Sequence, residues 1–536
     1  MTDKRALRWF GLVFISLAVA LIIVDSTIVN VAIPAIVDDL GISSTEVQWV
    51  QEAYTLVFAS LLLLFGSLGD RFGRRRMLLI GVTVFAVSSV LAALAPTGGL
   101  LIAARLVQGV GGAMILPTTL SLLNATFRGR ERGIAFAVWG STIGGMAAVG
   151  PLLGGWLTTE FSWRWAFGIN VPLGIIIVIG VLWAVMESRE EGYGRVDLVG
   201  AALSVVLFGT LVFGLIEGRT YGWWLTKTAP TIGDWTWPFA LSPVPLAFAV
   251  SLLALIGFLT WTTSRRRRGR ATLLDLALFR IATFRTGNIA ALVVALGEFG
   301  LILALPLWLQ FVLGFDALQT GLVLLALAGG SFVASGIAGA LSGKVAPVLV
   351  VRAGLVAEII GIAAVALVIG PDAVWGWLLP GLFVYGIGVG LATAQLTGVI
   401  LQDVPVAKSG QGSGTQSTAR QVGSALGIAI LGTVLFTTTA AALTQSLDDE
   451  GVPAAQRDQI VSAVVDSAGA AIAGLDGDPA TAEAADAARA AFSEGTRWAA
   501  ATAAGFVTLG LVATIGLGKR REDEDEQAVS DANKLS

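Results

Sequence analysis

The sequence predicts an all-α polytopic membrane protein with fourteen transmembrane spans, and three observations lead there. Of 536 residues, 55% are hydrophobic and only 13% charged, against about 45–50% and about 25% in an ordinary globular chain. Mean hydropathy is +0.81. The apolar residues fall into stretches long enough for a helix to cross a bilayer core, which takes about 20 residues.

In chain order, span 1 (10–36) follows Lys4, Arg5 and Arg8 and continues past Asp25 to Pro34, too long a run for a cleaved signal peptide. Spans 2 (47–68) and 3 (76–95) flank Arg71, Arg74, Arg75 and Arg76; spans 4 (99–123) and 5 (133–158) flank Arg128, Arg130 and Arg132. Span 6 (164–186) precedes Arg189 and Arg195. Spans 7 (196–216) and 8 (239–262) lead to seven arginines between Arg265 and Arg285. Spans 9 (286–313), 10 (319–342), 11 (346–369) and 12 (375–401) enclose Lys344 and Arg352, and Lys408 and Arg420 accompany span 13 (412–440). Span 14 (497–518) precedes the charged tail at 519–536. With the N-terminus inside, 27 of the 34 basic residues fall on the cytoplasmic side, the bias that orients membrane proteins. Residues 441–496 carry ten acids against two basic residues and read as an external helical hairpin or a partly disordered loop.

Composition also excludes chemistry. The chain has no Cys and no His, so disulfides, thiolate nucleophiles, iron–sulfur clusters, Ser-His-Asp hydrolysis and His-ligated metal catalysis are ruled out. Proton handling then falls to Asp and Glu. The two halves of the chain echo each other. GSLGDRFGRRR (66–76) has a weaker counterpart in GALSGKVAPVLVVR (339–352), and LIAARLVQGVGGA (101–113) shares its glycine spacing with LPGLFVYGIGVGLA (379–392). Internal repeats of this kind build many secondary transporters, with the binding site between the halves. The division that follows is a cytoplasmic N-terminus (1–9), a six-helix bundle (10–186), a linker with inserted spans 7 and 8 (187–285), a second six-helix bundle (286–518) and the tail.

GSLGDRFGRRR resembles the loop signature of the major facilitator superfamily. VDSTIVNVAIP (24–34), WVQEAY (49–54), LIAARLVQGVGG and GSTIGGMAAVGPLLGG (140–155) resemble motifs of its fourteen-helix drug:proton antiporter branch, in the expected order and spacing. Glu52 departs from the branch pattern, and the second loop signature is degenerate. The resemblance implies a major facilitator fold and a proton-coupled exporter in a bacterial plasma membrane with both termini cytoplasmic. Its partners are small molecules, protons and the lipid bilayer, with no nucleic acid and no obligatory protein partner. The loop is implied to be a conformational latch built on Gly66, Gly69, Asp70, Arg71, Gly73, Arg74 and Arg75. The glycines allow close approach, Asp70 can face a helix N-terminus, and the arginines can pair with carboxylates or headgroups; setting topology is their competing role. Gly140, Gly144, Gly150, Pro151, Gly154 and Gly155 form the antiporter motif, which reads as tight helix packing and which the resemblance places at a bundle interface of exporters.

Ionisable residues inside the bilayer cost about 2.5–3.5 kcal/mol each and are functional candidates by default. Asp25, Glu52, Arg105, Glu298 and Glu358 qualify. At about 1.5 Å per residue, Asp25, Glu52 and Arg105 are expected to meet in the outer half of the first bundle. A carboxylate whose cation approaches in one state and leaves in another changes its proton affinity, which coupling requires. Asp25, Arg105, Glu298 and Glu52 are the proton-coupling candidates, with static hydrogen bonding as the competing reading; Glu358 is read as a peripheral packing contact. Asn30, Gln108, Trp308, Gln310, Tyr385 and Gln395 are candidates to line an otherwise apolar cavity suited to lipophilic cations. No metal site is expected, and no cofactor. A glycine-lysine ATP-binding loop does not occur, which leaves the proton gradient as the driving force. A dedicated exporter of one metabolite, antibiotic, amino acid or lipid remains the alternative. A membrane enzyme or a sensor with a transporter fold is less well supported, since no catalytic pair appears within the spans.

Overall fold

The apolar stretches fold as helices, a few of which start at side-chain caps. The computed structural model describes residues 2–42, 44–189, 197–232, 235–341, 344–476 and 481–517; the tail and the side chain of Asn30 lie outside the described residues. The first half holds α1 (Thr2–Leu40), α2 (Ser44–Phe72), α3 (Arg74–Ala93), α4 (Gly98–Thr126), α5 (Gly129–Glu160), α6 (Arg164–Gly168) and α7 (Asn170–Ala184). Next come α8 (Leu198–Tyr221) and α9 (Pro243–Arg267), joined through the short strands β1 (Thr231–Ile232) and β2 (Trp235–Thr236). The second half holds α10 (Ala282–Phe311), α11 (Ala317–Leu341), α12 (Pro347–Val368), α13 (Leu378–Leu401), α14 (Ser409–Asp449), α15 (Ala454–Asp466), α16 (Ala471–Asp476) and α17 (Ala482–Ala513). Among the described residues thirteen helical spans are long and apolar enough to cross a membrane, with α6 and α7 together making one, and the bent α5 supplies a fourteenth.

Thr97 caps α4 by accepting the Leu100 N–H. Asp197 caps α8 through the Gly200 N–H and also accepts from Trp261 Nε1 at 2.8 Å, fastening α9 to α8. Ser242 and Pro243 open α9, a hydroxyl acceptor followed by a residue with no N–H to satisfy. The two arms of α5 are bent by 41°; Pro151 removes the hydrogen bond to the carbonyl four residues earlier.

In the first half α1 packs on α5 and α7, and α4 on α2 and α3; in the second, α10, α14 and α17 pack together and α13 packs on α11 and α12. The halves meet where α5 crosses α11 and α13, and where α2 and α4 meet α14. The pair α8–α9 leans on α2 and α14. Large apolar side chains such as Ile179, Leu253 and Leu367 point outward, as lipid requires and water does not.

Residues 441–496 differ from a separate hairpin. At 41 residues, α14 is about 60 Å long, so it runs beyond the membrane depth, and α17 starts at Ala482 rather than near 497. With α15 and α16 they form a packed helical cap in which Val464, Ile472 and Phe492 are fully buried. Lys227 of the α8–α9 connection pairs with Asp466 of α15 at 2.9 Å.

Candidate functional site

Asp25 of α1 is completely buried, and four other helices converge on it. Arg105 Nη1 of α4 lies 2.6 Å from its Oδ2, Gln108 Nε2 donates to its Oδ1 at 2.7 Å, and Asn170 Nδ2 at the start of α7 donates to the same oxygen at 2.6 Å. Ser89 of α3 accepts from both amides, at 2.9 and 3.2 Å. Arg105 also donates from Nη1 to Gln108 Oε1 at 2.6 Å and from Nε to the Val50 carbonyl of α2 at 3.1 Å, and lies 4.5 Å over the Tyr54 ring. The i,i+3 spacing of Arg105 and Gln108 puts both on one face of α4. A buried ion pair is tolerable only when its remaining polar atoms are satisfied; the amides and the carbonyl supply that. Among the described residues of this group, Asn170 Oδ1 and the Tyr54 hydroxyl are buried without a hydrogen-bond partner.

In the second half Glu298 of α10 is buried and held by Arg420 Nη2 of α14 at 2.9 Å and Thr393 Oγ1 of α13 at 3.0 Å. The Tyr385 hydroxyl donates to the Glu298 carbonyl at 3.3 Å. Glu358 of α12 is fully buried rather than peripheral, and neither carboxyl oxygen has a hydrogen-bond partner.

At the face carrying the α2–α3, α4–α5 and α13–α14 connections, the basic face, the halves are tied together. Asp70 accepts the Gly410 N–H at 2.7 and 2.8 Å and the Gln411 N–H at 3.0 Å, both in the first turn of α14. Arg74, almost fully buried, donates to Asp70 Oδ1 at 2.6 Å, to the Val406 carbonyl at 2.6 Å and to Ser188 Oγ at 2.7 Å. Asn124 reaches Ser409 Oγ at 2.8 Å, and Gln395 of α13 reaches the Gly133 carbonyl of α5 at 3.3 Å. Gly73 has φ +109°, and a Cβ there would strike the Glu187 carboxylate, which accepts the Arg75 and Arg76 N–H groups. Gly66 touches the Gly410 carbonyl and Gly414 backbone closely enough that a side chain has no room, and Gly69 lies against Thr118.

The sequence profile of the Major Facilitator Superfamily matches residues 15–211 and 195–428. The chain belongs to that superfamily. It is 35% identical over 523 residues to the multidrug efflux pump LfrA of Mycolicibacterium smegmatis, covering 97% of both chains. It is also 35% identical over 455 residues to the probable actinorhodin transporter of Streptomyces coelicolor, covering 83% of this chain and 75% of the relative. The fold is similar to that of the human organic anion transporter MFSD10, with a TM-score of 0.56 over 95% of this chain and 99% of that one, at 14% identity.

For this Major Facilitator Superfamily chain, the structure brings Asp25, Arg105 and Gln108 together, and Glu298 with Tyr385. Glu52 does not join the Asp25 group as its depth led us to expect. Helix phase is the reason: Val50 and Tyr54 face Arg105, while the Glu52 side chain turns to that of Glu217 on α8. Trp308 is buried against α17, its indole N–H on Ser493 Oγ at 3.0 Å, and Gln310 is half-buried on α10. Arg71 lies over the Phe72 ring, and Arg75 donates to the Leu182 carbonyl within its own half. Sequence reading missed Ser89, Asn170, Thr393, Glu217 and Arg420. Scanning only for charges passes over Ser89, Asn170 and Thr393; Glu217 lies one residue beyond the apolar run of span 7; Arg420 reads as a topology residue, yet α14 carries it inward.

The glycines of α5 divide by arm. Gly140 abuts Ala394 of α13 and Gly144 abuts Ser331 of α11, whereas Gly150 abuts Thr27 and Gly154 abuts Ile28 of α1. Pro151 lies in the second arm, directly after Gly150, and Gly155 is half-buried beside Gly154. A Cβ on Gly150 would overlap Thr27 Oγ1, and overpacking a helix contact costs about 1–3 kcal/mol. Gly150→Leu is therefore expected to lower the thermal unfolding midpoint by several degrees, read by intrinsic tryptophan fluorescence. An unchanged midpoint would show that α1 and α5 separate freely there.

Proposed function

We propose that the protein is a proton-coupled antiporter that exports lipophilic or cationic compounds across a bacterial plasma membrane, with the basic face and both termini cytoplasmic and no cofactor or ATP. The observation that carries this reading is Asp25, a fully buried carboxylate whose cation comes from another helix. A proton on Asp25 removes the charge that holds Arg105, while the guanidinium keeps the Val50 carbonyl and the Tyr54 ring as alternative partners. Thr27, two residues on, contacts Gly150 of α5, and the other arm of α5 contacts the second half. Protonation at α1 thus has a short packed route to the interface between the halves. Glu298 with Arg420 is the corresponding pair in the second half and serves as a second proton or substrate-cation site.

Export of drugs, rather than uptake, is supported by the name of LfrA and by the glycine face of α5. The actinorhodin transporter, equally similar, favours the second reading: export of one dedicated metabolite. The test uses purified protein in liposomes with an imposed pH gradient, following ethidium movement and proton release together. Movement that tracks the gradient in both size and sign supports the proposal. Ethidium and a panel of lipophilic cations all standing still, while one neutral metabolite moves, would replace it with the second reading.

A further inference from the structure

The first half closes the basic face with the Asp70 carboxylate, set against the first turn of α14. The equivalent place in the second half lies between the first turn of α5 and the α11–α12 connection, and its sequence lacks the acid. Aligning Gly66 with Gly339 sets Gly343 opposite Asp70 and Lys344 opposite Arg71. Beside this connection the structure has a cavity of about 400 Å³. Arg130 and Arg132 of α5 and Lys344 line it, with no Asp or Glu among the described residues that line it. Arg130 and Lys344 are exposed at its mouth, and Leu341 and Val350 form apolar wall. Arg132 donates to Asn124 Oδ1 at 3.2 Å and to the Gln402 carbonyl at 3.5 Å, and Asp403, which acts on it through space, accepts from Thr283 and Gln402. Gly129, which begins α5, also lines the cavity, and α5 has no side-chain cap.

Three cations line this cavity, and by sequence alignment it neighbours the position where the other half carries a carboxylate, an arrangement suited to an anion. We propose that this cavity binds a phosphate-bearing anion, which takes the place of the missing carboxylate and joins α5 to the second half. The apolar wall beside the cations suits an anionic phospholipid headgroup, and an inorganic phosphate ion shares the recognised chemistry. Because the occupant touches both halves at the closed basic face, it favours that state over one in which the face has opened. The proposal does not depend on what the protein transports.

The full chain in detergent would be titrated with phosphatidylglycerol, phosphatidylcholine or sodium phosphate, reading lipid retention by native mass spectrometry and protection by thermal unfolding. Phosphatidylglycerol is expected to bind at least about tenfold more tightly than phosphatidylcholine. At about fivefold per basic residue, the Arg130→Ala/Lys344→Ala variant is expected to lose roughly 25-fold of that affinity. Both side chains are exposed, so folding is not at stake. Arg352→Ala removes a neighbouring cation outside the cavity and is expected to keep the preference. Protection by phosphate alone, lost in the same double variant, supports the site with the free ion as occupant. Equal binding of the two lipids without phosphate protection, a double variant that binds like the parent, or an Arg352→Ala loss as large as the double variant's would each overturn it.

Discussion

Asp25→Asn is expected to reduce gradient-driven transport to the background of empty liposomes, with no proton released when substrate is added. The chain has no His or Cys to take over proton transfer, and Asn matches the shape of Asp without binding the proton. The expected cost to the fold is separate. The variant leaves Arg105, 2% exposed, without its counter-charge, and breaking a buried pair at one partner costs about 3–5 kcal/mol. Asp25→Asn/Arg105→Gln removes both charges, and the two amides can hydrogen-bond to each other, to Gln108 and to the Val50 carbonyl. This double variant is expected to recover the monodisperse peak of the parent on fluorescence-detected size exclusion while staying uncoupled. Transport by Asp25→Asn at the parent rate and proton stoichiometry would remove Asp25 from the mechanism. A double variant that regains coupling would do the same.

Much of this architecture is legible without coordinates because lipid imposes a simple rule. Every span must be apolar for about 20 residues, so counting them is arithmetic, and each glycine-rich loop between spans advertises its turn. The pairing of Asp25 with Arg105 also follows from depth, since two costly charges in one bundle have few partners other than each other. Azimuth is what the chain alone does not display. Glu52 sits at a depth compatible with Arg105, yet a rotation of about 100° per residue turns it toward α8, where it finds Glu217. The same limit hides Ser89 and Asn170. A hydroxyl or amide in an apolar run is as often bonded to its own helix, as Thr27 is to the Ile23 carbonyl, as it is to a functional carboxylate. Nor does a count of basic residues tell a topology arginine from one that enters the core: Arg420 lies three turns inside α14, whose first turn meets Asp70.

Asp70→Ala is expected to open the basic face. The substitution removes the acceptor for the Gly410 and Gln411 N–H groups and leaves Arg74, 1% exposed, with no carboxylate. Hydrogen bonds to a charged group contribute about 1.5–3 kcal/mol each, so losing the two backbone bonds withdraws about 3–6 kcal/mol from the closed state. Moving a two-state equilibrium from 1:99 to 99:1 takes about 5.5 kcal/mol, so the change suffices to invert the population of the faces or bring it near balance. The absence of Cys in the native chain makes the measurement direct: spin labels on cysteines introduced at Arg76 and Val406, both exposed, report the separation of α3 from the α14 entrance. A longer, broader distance distribution is expected in Asp70→Ala, and an unchanged one would remove the latch. Arg74→Gln should give a similar shift, because Arg74 itself reaches the Val406 carbonyl across the interface. Arg75→Gln should not, because that guanidinium bonds to Leu182 within its own half. Were the loop only a topology signal, the two arginines would be interchangeable; a latch distinguishes them by which half their partners belong to.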